Sequence, residues 1–318
     1  MQTVEFSRCR GMGTRVVSWA LMSCALVLGT GGCGPVEEPP AEPVSPGVRG
    51  QELESDNALS INGLSFNGLS FNGLSFNGLS FNGLSSSAFK SWFQSNPARA
   101  DEVMRYVVRC AVPVGQTRSF TDTVTGRRYT WPGSLGLAPV WSTGAAAPVA
   151  EQQLVSACLA AHVNAFGVSV PISLVGRNAV GGVLAYTPDE LNGFPKEESC
   201  FFGNLFTGQG IFAGSRGTLL SQNTSSSRAC AVVDNSGSQR MNCSPLVYVG
   251  DCSRHCSLDP LGLFYADCDY SGNHFRPLTT RLRGQDIYRC GDGTCQVTES
   301  CGNANWYNSC QADCGVCK

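Results

Sequence analysis

The distribution of cysteine constrains the fold of this chain more than any other feature of its sequence. Three of the seventeen cysteines lie within the first 33 residues, which leaves fourteen in two even groups, eight and then six. Even counts in an exported chain predict disulfide bridges, here pairing within each group, with metal-binding thiolates as the alternative. The fourteen are Cys110, Cys158, Cys200, Cys230, Cys243, Cys252, Cys256, Cys268, Cys290, Cys295, Cys301, Cys310, Cys314 and Cys317.

The N-terminus predicts export. Three arginines within the first fifteen residues precede an apolar run over residues 16–28, which is too short to span a bilayer, and Gly-Thr-Gly-Gly-Cys follows. This order resembles a bacterial lipoprotein signal in which Cys33 is the lipidated first residue of the mature chain. Lipidation at Cys24 and secretion without a lipid are the alternatives. We therefore expect a lipid-anchored protein of the outer membrane or cell surface, or otherwise a secreted one.

Composition divides the chain into five segments. A stretch rich in proline and glutamate follows the signal and is expected to be stiff and extended, because proline restricts the backbone and like charges repel. A repeat, a long region of domain size and a short cysteine-dense end come next. The expected segments are 1–33 (signal with lipidated cysteine), 34–56 (tether), 57–88 (pentapeptide repeat), 89–286 (globular domain) and 287–318 (cysteine-rich module).

The repeat has the unit Asn-Gly-Leu-Ser-Phe, in six copies of which the first is degenerate. Asn-Gly favours a tight turn and Leu-Ser-Phe suits a short extended piece, so the segment partly resembles pentapeptide-repeat proteins, which form β-solenoids. Six copies are too few to bury a core by stacking alone. Three arrangements stay open: the repeat docks on the globular domain, is loose, or pairs with a second copy of itself.

The globular region predicts an α+β fold, a disulfide-stapled domain of two or three helices on a small antiparallel sheet. Asn96 and Pro97 predict a helix start, because they supply an N-cap and a proline at the first helical position. The strongest helical pattern covers residues 151–166. The expected strands are 120–124 and 127–131, which form a hairpin, and 168–175, 246–249 and 264–265.

His162 is the sharpest catalytic candidate, because it follows Cys158 by one helical turn on the same helix face. The two residue types suit a Cys-His catalytic pair or a metal site. The structural alternative is a histidine that is hydrogen-bonded at the edge of the core. Neither His-Glu-x-x-His nor Gly-x-Ser-x-Gly occurs in the chain, so no hydrolase motif supports catalysis.

One group of residues has the ligand types of a zinc site. These residues are Cys252, His255, Cys256 and Cys268, which also show some of the short spacing that zinc sites use. The same cysteines fit disulfides in an exported chain, and we favour that interpretation.

Acidic residues offer two further kinds of site. Asp292, Glu299 and Asp313 of the terminal module have the hard oxygen ligands that suit calcium, with solvated turn residues as the alternative. We expect no cofactor, with calcium as the alternative. Adjacent acids such as Asp189 and Glu190 rarely face one point, and here they are better explained as the first turn of a capped helix.

The formal net charge of −2 and the lack of a basic stripe with aromatic residues exclude nucleic acid from the expected partners. The expected partners are the membrane, through the lipid, and a protein or glycan on the cell surface. Self-association through the repeat is a further expectation.

Several stretches resemble predicted secreted lipoproteins of myxobacteria. They are the NGLS repeat, residues 105–110 (RYVVRC), 133–139 (GSLGLAP) and 157–164 (ACLAAHVN), and an ending with CGDGTC, ESC and DCGVC. That ending resembles a cysteine-rich repeat found at the C-termini of such proteins. The resemblance covers most of the mature chain and implies no particular activity.

These observations favour a non-enzymatic, cell-surface lipoprotein that acts in binding, adhesion or envelope assembly. An extracellular hydrolase with dispersed catalytic groups around His162 is the alternative, and a metal-binding protein is the minor one.

Overall fold

The computed structural model describes a large part of the chain, and all of the described residues belong to one compact unit. They are residues 54–57, 59–60, 81–164, 170–216, 224–226, 245–283, 287–289, 291, 293, 295, 301–302 and 310–317. The predicted signal with Cys24 and Cys33, most of the tether and repeat residues 61–80 lie outside the described residues.

Short helices precede and flank the strands of the domain. In the described residues they are α1 (Phe81–Leu84), α2 (Ser87–Ser95), α3 (Pro97–Ala111), α4 (Pro139–Ser142), α5 (Val149–Ala161), α6 (Pro188–Gly193) and α7 (Gln311–Cys314). The start of α3 confirms the sequence prediction, because the Asn96 side chain accepts a hydrogen bond from the Arg99 backbone N–H at 3.2 Å. No helix in the described parts is long and apolar enough to cross a membrane.

The described strands form one large sheet and several small ones. They are β1 (Glu54–Asn57), β2 (Leu59–Ser60), β3 (Thr117–Thr121), β4 (Arg128–Pro132), β5 (Val163–Asn164), β6 (Val170–Gly176), β7 (Lys196–Asn204), β8 (Gly210–Ser215), β9 (Thr224–Ser226), β10 (Leu246–Asp251), β11 (Cys256–Leu258), β12 (Tyr265–Tyr270), β13 (Asn273–Phe275), β14 (Leu278–Leu282) and β15 (Ile287–Arg289).

The main sheet has six strands in the order β1-β6-β14-β7-β8-β10. All neighbours are antiparallel except β8 and β10, which run parallel. A second antiparallel sheet has the order β11-β12-β13, and β3 and β4 form a separate hairpin. Strands β2 and β5 form a parallel pair, and β15, at the start of the predicted cysteine-rich module, pairs antiparallel with β9.

Both faces of the main sheet are covered. One face packs on α5, which in turn packs on α3, and Leu154 and Leu159 of α5 share a core with Phe201 of β7 and Ile211 of β8. On the opposite face, Phe202 packs with a cluster that includes residues of β8, β12 and β13. Neighbouring residues of β7 thus point into two different cores, as expected for a strand buried on both faces.

The predicted α+β class is confirmed, but the predicted sheet was too small. Strand β14 is buried along its whole length and β8 at every residue after Gly210, so they lack the polar alternation that marks a half-exposed strand. The glycines in β8 also made this strand difficult to predict from the sequence. A Cβ atom on Gly214 would lie 2.9 Å from Sγ of Cys252 and 3.0 Å from Sγ of Cys200, so a glycine is needed where the bridge crosses the strand.

The helix predicted over residues 151–166 begins at Val149 and ends at Ala161. His162 caps it, and the chain continues directly into β5. The apolar pattern overestimated the helix because β5 pairs with β2, which comes from a distant part of the sequence. By contrast, the predicted hairpin is confirmed, since Phe120 lies opposite Tyr129 in the β3–β4 register.

The N-terminal end of the described chain is joined to the domain by backbone pairing. Strand β1 crosses the boundary expected between tether and repeat, and its Asn57 pairs with Val170. Strand β2 belongs to the degenerate first copy, so this part of the repeat docks on the domain. The last copy differs from the prediction of a turn and an extended piece: Phe81–Leu84 is helical, and Leu84 is buried in the main core.

The disulfides whose two cysteines are described pair within each cysteine group, as predicted. The five described bridges are Cys110–Cys158, Cys200–Cys252, Cys256–Cys268, Cys295–Cys314 and Cys301–Cys317. Cys310 is also bridged, and Cys230, Cys243 and Cys290 lie outside the described residues.

Candidate functional site

His162 lies in the core with no solvent exposure. Its Nδ1 donates a hydrogen bond to the backbone carbonyl of Cys158 at 2.7 Å, since a carbonyl only accepts. The same nitrogen is 3.6 Å from Sγ of Cys158 and 4.0 Å from Sγ of Cys110. This is the arrangement of a structural histidine that is bonded to the backbone.

The three side chains bring two cysteine sulfurs and an imidazole within 4.8 Å of one another, as a metal site would. However, Cys110 and Cys158 are bonded to each other, and only a thiolate serves as a nucleophile or a metal ligand. A substrate also has no route to a fully buried ring. The geometry therefore gives no support to a hydrolase that uses His162 as its catalytic residue.

The cysteines of the zinc-like group are bridged as well. Cys252 pairs with Cys200, and Cys256 pairs with Cys268 across β11 and β12. Nε2 of His255 lies 3.2 Å from the carbonyl of Val249, to which it donates a hydrogen bond. These contacts confirm the disulfide interpretation of this group.

Asp313, one of the three calcium candidates, stabilises a loop in the described residues by accepting backbone hydrogen bonds. Its two carboxylate oxygens accept hydrogen bonds from the backbone N–H groups of Gly291 and Gly293, at 2.6 and 3.0 Å. The other two candidates, Asp292 and Glu299, lie outside the described residues. Asp189 and Glu190 fall in the first turn of α6, where Glu190 N–H bonds to the Thr187 cap, as predicted.

A cleft of about 610 Å³ lies between α3 and the β3–β4 hairpin. It is lined by Asp101, Arg105 and Arg109 of α3 and by residues 127–134 of the hairpin and the turn that follows it. We call it the arginine cleft, because the hairpin contributes Arg127 and Arg128 as well. Four arginines and one aspartate among the lining residues leave an excess of three formal positive charges.

Aromatic packing fixes the hairpin against the helices. The Phe93 ring of α2 is fully buried, and its centroid lies 4.7 Å from those of Phe120 and Tyr129. Trp131 is 6.1 Å from the same ring. Such tilted and edge-on contacts between rings add stability beyond that from burying apolar surface. The hairpin that forms one wall of the cleft is therefore held firmly by packed aromatic side chains.

A polar contact joins the two walls at the floor of the cleft. Nε1 of Trp131 donates to Oδ1 of Asp101 at 2.7 Å, and Oδ2 of Asp101 lies 4.0 Å from a terminal nitrogen of Arg105. On the other wall, the guanidinium of Arg127 lies 4.9 Å from the centre of the Tyr129 ring, a cation–π distance. Arg105 and Arg127 thus each have an oriented neighbour.

The tip of the hairpin is held by Asp122. Its carboxylate accepts hydrogen bonds from Thr125 Oγ1 at 2.6 Å, Gln94 Nε2 at 2.9 Å and the Val124 backbone N–H at 3.0 Å. These bonds lower the pKa of Asp122 to about 2, because they favour the charged carboxylate. The Asp122 N–H also bonds to the carbonyl of Arg127 at 2.9 Å, so the turn positions one of the cleft arginines.

Sequence reasoning missed the arginine cleft. Its only local signals are Arg105 and Arg109, spaced one helical turn apart, and the adjacent pair Arg127 and Arg128 after the predicted Thr-Gly turn. Each pair alone describes an ordinary solvated surface. Only the packing of the hairpin on α2 and α3 brings the pairs together.

The chain matches no protein-family model, no curated protein and no solved structure. The arrangement of the residues themselves is therefore the basis for a functional conclusion.

Proposed function

We propose that this protein is a non-enzymatic binding protein of the cell surface, anchored by a lipid at Cys33, and that it holds an anionic ligand in the arginine cleft. The observation that carries the proposal is the lining of the cleft, where four arginines and one aspartate surround about 610 Å³. This volume falls within the range of ligand sites in proteins.

The choice of basic residue supports an anionic ligand. Every basic side chain of the lining is an arginine. Its planar guanidinium donates paired hydrogen bonds that match a carboxylate or a phosphate, whereas a lysine ammonium acts as a point charge. The packed aromatic base beneath the hairpin also reduces the cost of ordering the site when a ligand binds.

The disulfides support a location outside the cytoplasm. Five bridges in the described residues fit an oxidising compartment. Anchoring at Cys33 rests on the signal pattern and can be tested by labelling cells with a fatty-acid probe. Label on the wild type that is lost in Cys33→Ala supports the anchor, and unchanged labelling rules it out.

The described geometry favours binding over the alternatives. The ring of His162 is buried and bonded to the backbone, and the cysteines beside it are bridged. A metal-binding protein would show free thiols when it is denatured without reductant, while the described bridges predict none from their cysteines. Adhesion and envelope assembly both follow if the anionic ligand belongs to a neighbouring surface.

A polyanion binding assay tests the proposal directly. Purified mature protein would be titrated with fluorescent dextran sulfate at low and at moderate ionic strength. We expect binding that weakens with salt, because exposed charges are screened over about 10 Å at 0.1 M salt. The Arg105→Ala/Arg109→Ala/Arg127→Ala/Arg128→Ala variant should lose at least about tenfold in affinity, given roughly 0.5–1 kcal/mol or more for each lost contact.

Arg254→Ala is the matched control for the single cleft variant Arg105→Ala, because each removes one positive charge. Arg254 is an arginine with 73% exposure that lies outside the cleft, so its loss changes the net charge without changing the site. Unchanged affinity in the control and a loss in the cleft variants would locate binding in the cleft. Equal affinity in the wild type and all three variants would overturn the proposal.

A further inference from the structure

The acidic residue in the arginine cleft narrows the class of ligand. Asp101 is one carboxylate among four guanidinium groups, and about a quarter of its side chain is exposed. A site that only attracted negative charge would bind better without it, because Asp101 repels an anion and offsets one arginine. The hydrogen bond from Trp131 is one reason for its position, and the acceptor capacity that the carboxylate retains bears on the chemistry of the ligand.

The carboxylate retains acceptor capacity after its contacts within the protein. A carboxylate offers about four lone-pair sites. The described contacts of Asp101 in the cleft are the 2.7 Å hydrogen bond from Trp131 to Oδ1 and the 4.0 Å approach of Arg105 to Oδ2. Capacity is left for donors that approach from the open side, and the hydroxyl groups of a sugar are neutral donors from which a carboxylate can accept.

The four arginines of the cleft form two pairs, one on each wall. Arg105 and Arg109 follow one another on α3 with a rise of about 6 Å, and Arg127 and Arg128 belong to the hairpin. A single small anion needs one guanidinium or two. Pairs on both walls of a cleft of this size suit a chain whose anionic groups recur along its length.

We infer that the ligand is an acidic glycan, a chain that carries carboxylate or phosphate groups together with free hydroxyls. The arginine pairs bind the anionic groups, and Asp101 accepts hydrogen bonds from the hydroxyls. Asp101 also excludes polyanions that lack hydroxyls, since it repels them without a compensating bond. This inference rests on the proposed function, because it names the ligand of the same cleft.

The test compares polymers that differ in one property at a time. Four probes would be titrated into the intact mature protein: polygalacturonate (carboxylates with hydroxyls), a phosphomannan (phosphates with hydroxyls), poly-L-glutamate (carboxylates without hydroxyls) and dextran (hydroxyls without charge). We expect polygalacturonate or the phosphomannan to bind about tenfold more tightly than poly-L-glutamate, and dextran not to bind. The tighter of the two acidic glycans identifies the anionic group.

Asp101→Asn tests the role of the carboxylate. The amide oxygen can still accept from Trp131, so the floor of the cleft is retained while the charge and acceptor capacity are lost. We expect the ratio of glycan to poly-L-glutamate affinity to fall to about twofold or less. Glu102→Gln is the matched control, since Glu102 is the adjacent acid of α3 and lies outside the cleft lining; it should keep the wild-type ratio.

Two different failures can be told apart. If poly-L-glutamate binds the wild type as tightly as both acidic glycans, the glycan inference is wrong while anion binding in the cleft stands. If neither polyanions with hydroxyls nor those without them bind, the proposed function fails and the inference fails with it. If Asp101→Asn does not fold, the wild-type comparison of the four probes decides alone.

Discussion

The indole nitrogen of Trp131 donates a 2.7 Å hydrogen bond to the carboxylate of Asp101, and this contact joins strand β4 to helix α3. Trp131 is only 2% exposed, whereas Asp101 reaches the open cleft. The buried indole N–H is thus satisfied by an acid that also lines the candidate binding site. The same hydrogen bond therefore stabilises the hairpin and positions a carboxylate of the cleft.

Replacing Trp131 by phenylalanine should destabilise the protein more than the same change at Trp141. Both tryptophans are buried, but Nε1 of Trp141 has no hydrogen-bond partner in the described structure. Trp131→Phe loses a charge-assisted bond, so we expect it to cost about 2 kcal/mol more than Trp141→Phe. Urea unfolding of the two variants measures the difference. Equal losses would mean that the bond to Asp101 contributes nothing to stability.

Asp122 should make the stability of the domain sensitive to acid. Its pKa of about 2 lies below the value of about 3.9 expected in the unfolded chain. The stabilisation is therefore complete above the unfolded pKa and is lost as the pH falls through about 4 toward 2. Between about pH 5 and about pH 2, the wild type should lose more stability than Asp122→Asn, as followed by denaturant unfolding. Parallel pH profiles would contradict this role for the carboxylate.

The disulfide of the main core, which closes the longer loop, should contribute more to the free energy of unfolding than the disulfide of the small sheet. Cys110–Cys158 closes a separation of 48 residues and Cys256–Cys268 one of 12. Loop-closure entropy then gives about 4 kcal/mol for the first and about 3 kcal/mol for the second. Guanidinium unfolding of the two double-alanine variants tests the order. A reversed order would show that local packing outweighs loop length.

The contribution of His274 to the stability of the domain should depend on pH in the opposite direction to that of Asp122. Its hydrogen bond to Asp269, at 2.9 Å, raises the pKa of the imidazole, and the charges of Asp269 and Asp267 add to the effect. The contribution is present below the unfolded pKa of about 6.5 and is lost as the pH rises through the higher folded value. An NMR titration should show a larger fall in this pKa for Asp269→Asn than for Asp267→Asn. Equal falls would contradict the leading role of Asp269.

Local patterns were sufficient to predict the elements whose partners are near in sequence. The β3–β4 hairpin follows from alternation around a Thr-Gly turn, and its partners are separated by only a few residues. The start of α3 follows from Asn96 and Pro97, which act within one helical turn. The even cysteine groups predicted bridges but not their partners, because connectivity depends on the fold.

Long-range pairing explains what the sequence could not reveal. Strand β14 lies between β6 and β7, although about a hundred residues separate it from β6 along the chain. Neither its position nor the parallel pairing of β10 with β8 leaves a local pattern. The arginine cleft failed to appear for the same reason, since its two walls are brought together by contacts between segments that are distant in sequence, such as the Trp131–Asp101 hydrogen bond and the packing of Phe93 on the hairpin.

The bridge between Cys110 and Cys158 encloses the whole hairpin in sequence, because β3, β4 and their turn lie between the two cysteines. The tip of that turn is open to a protease, since Val124 there is 77% exposed. After one cut there, the polypeptide would remain covalently continuous through the bridge. Each strand would also stay attached to the domain at its other end. A single nick would therefore shed no fragment, and a cleft built on this hairpin can outlast a proteolytic event at this exposed point.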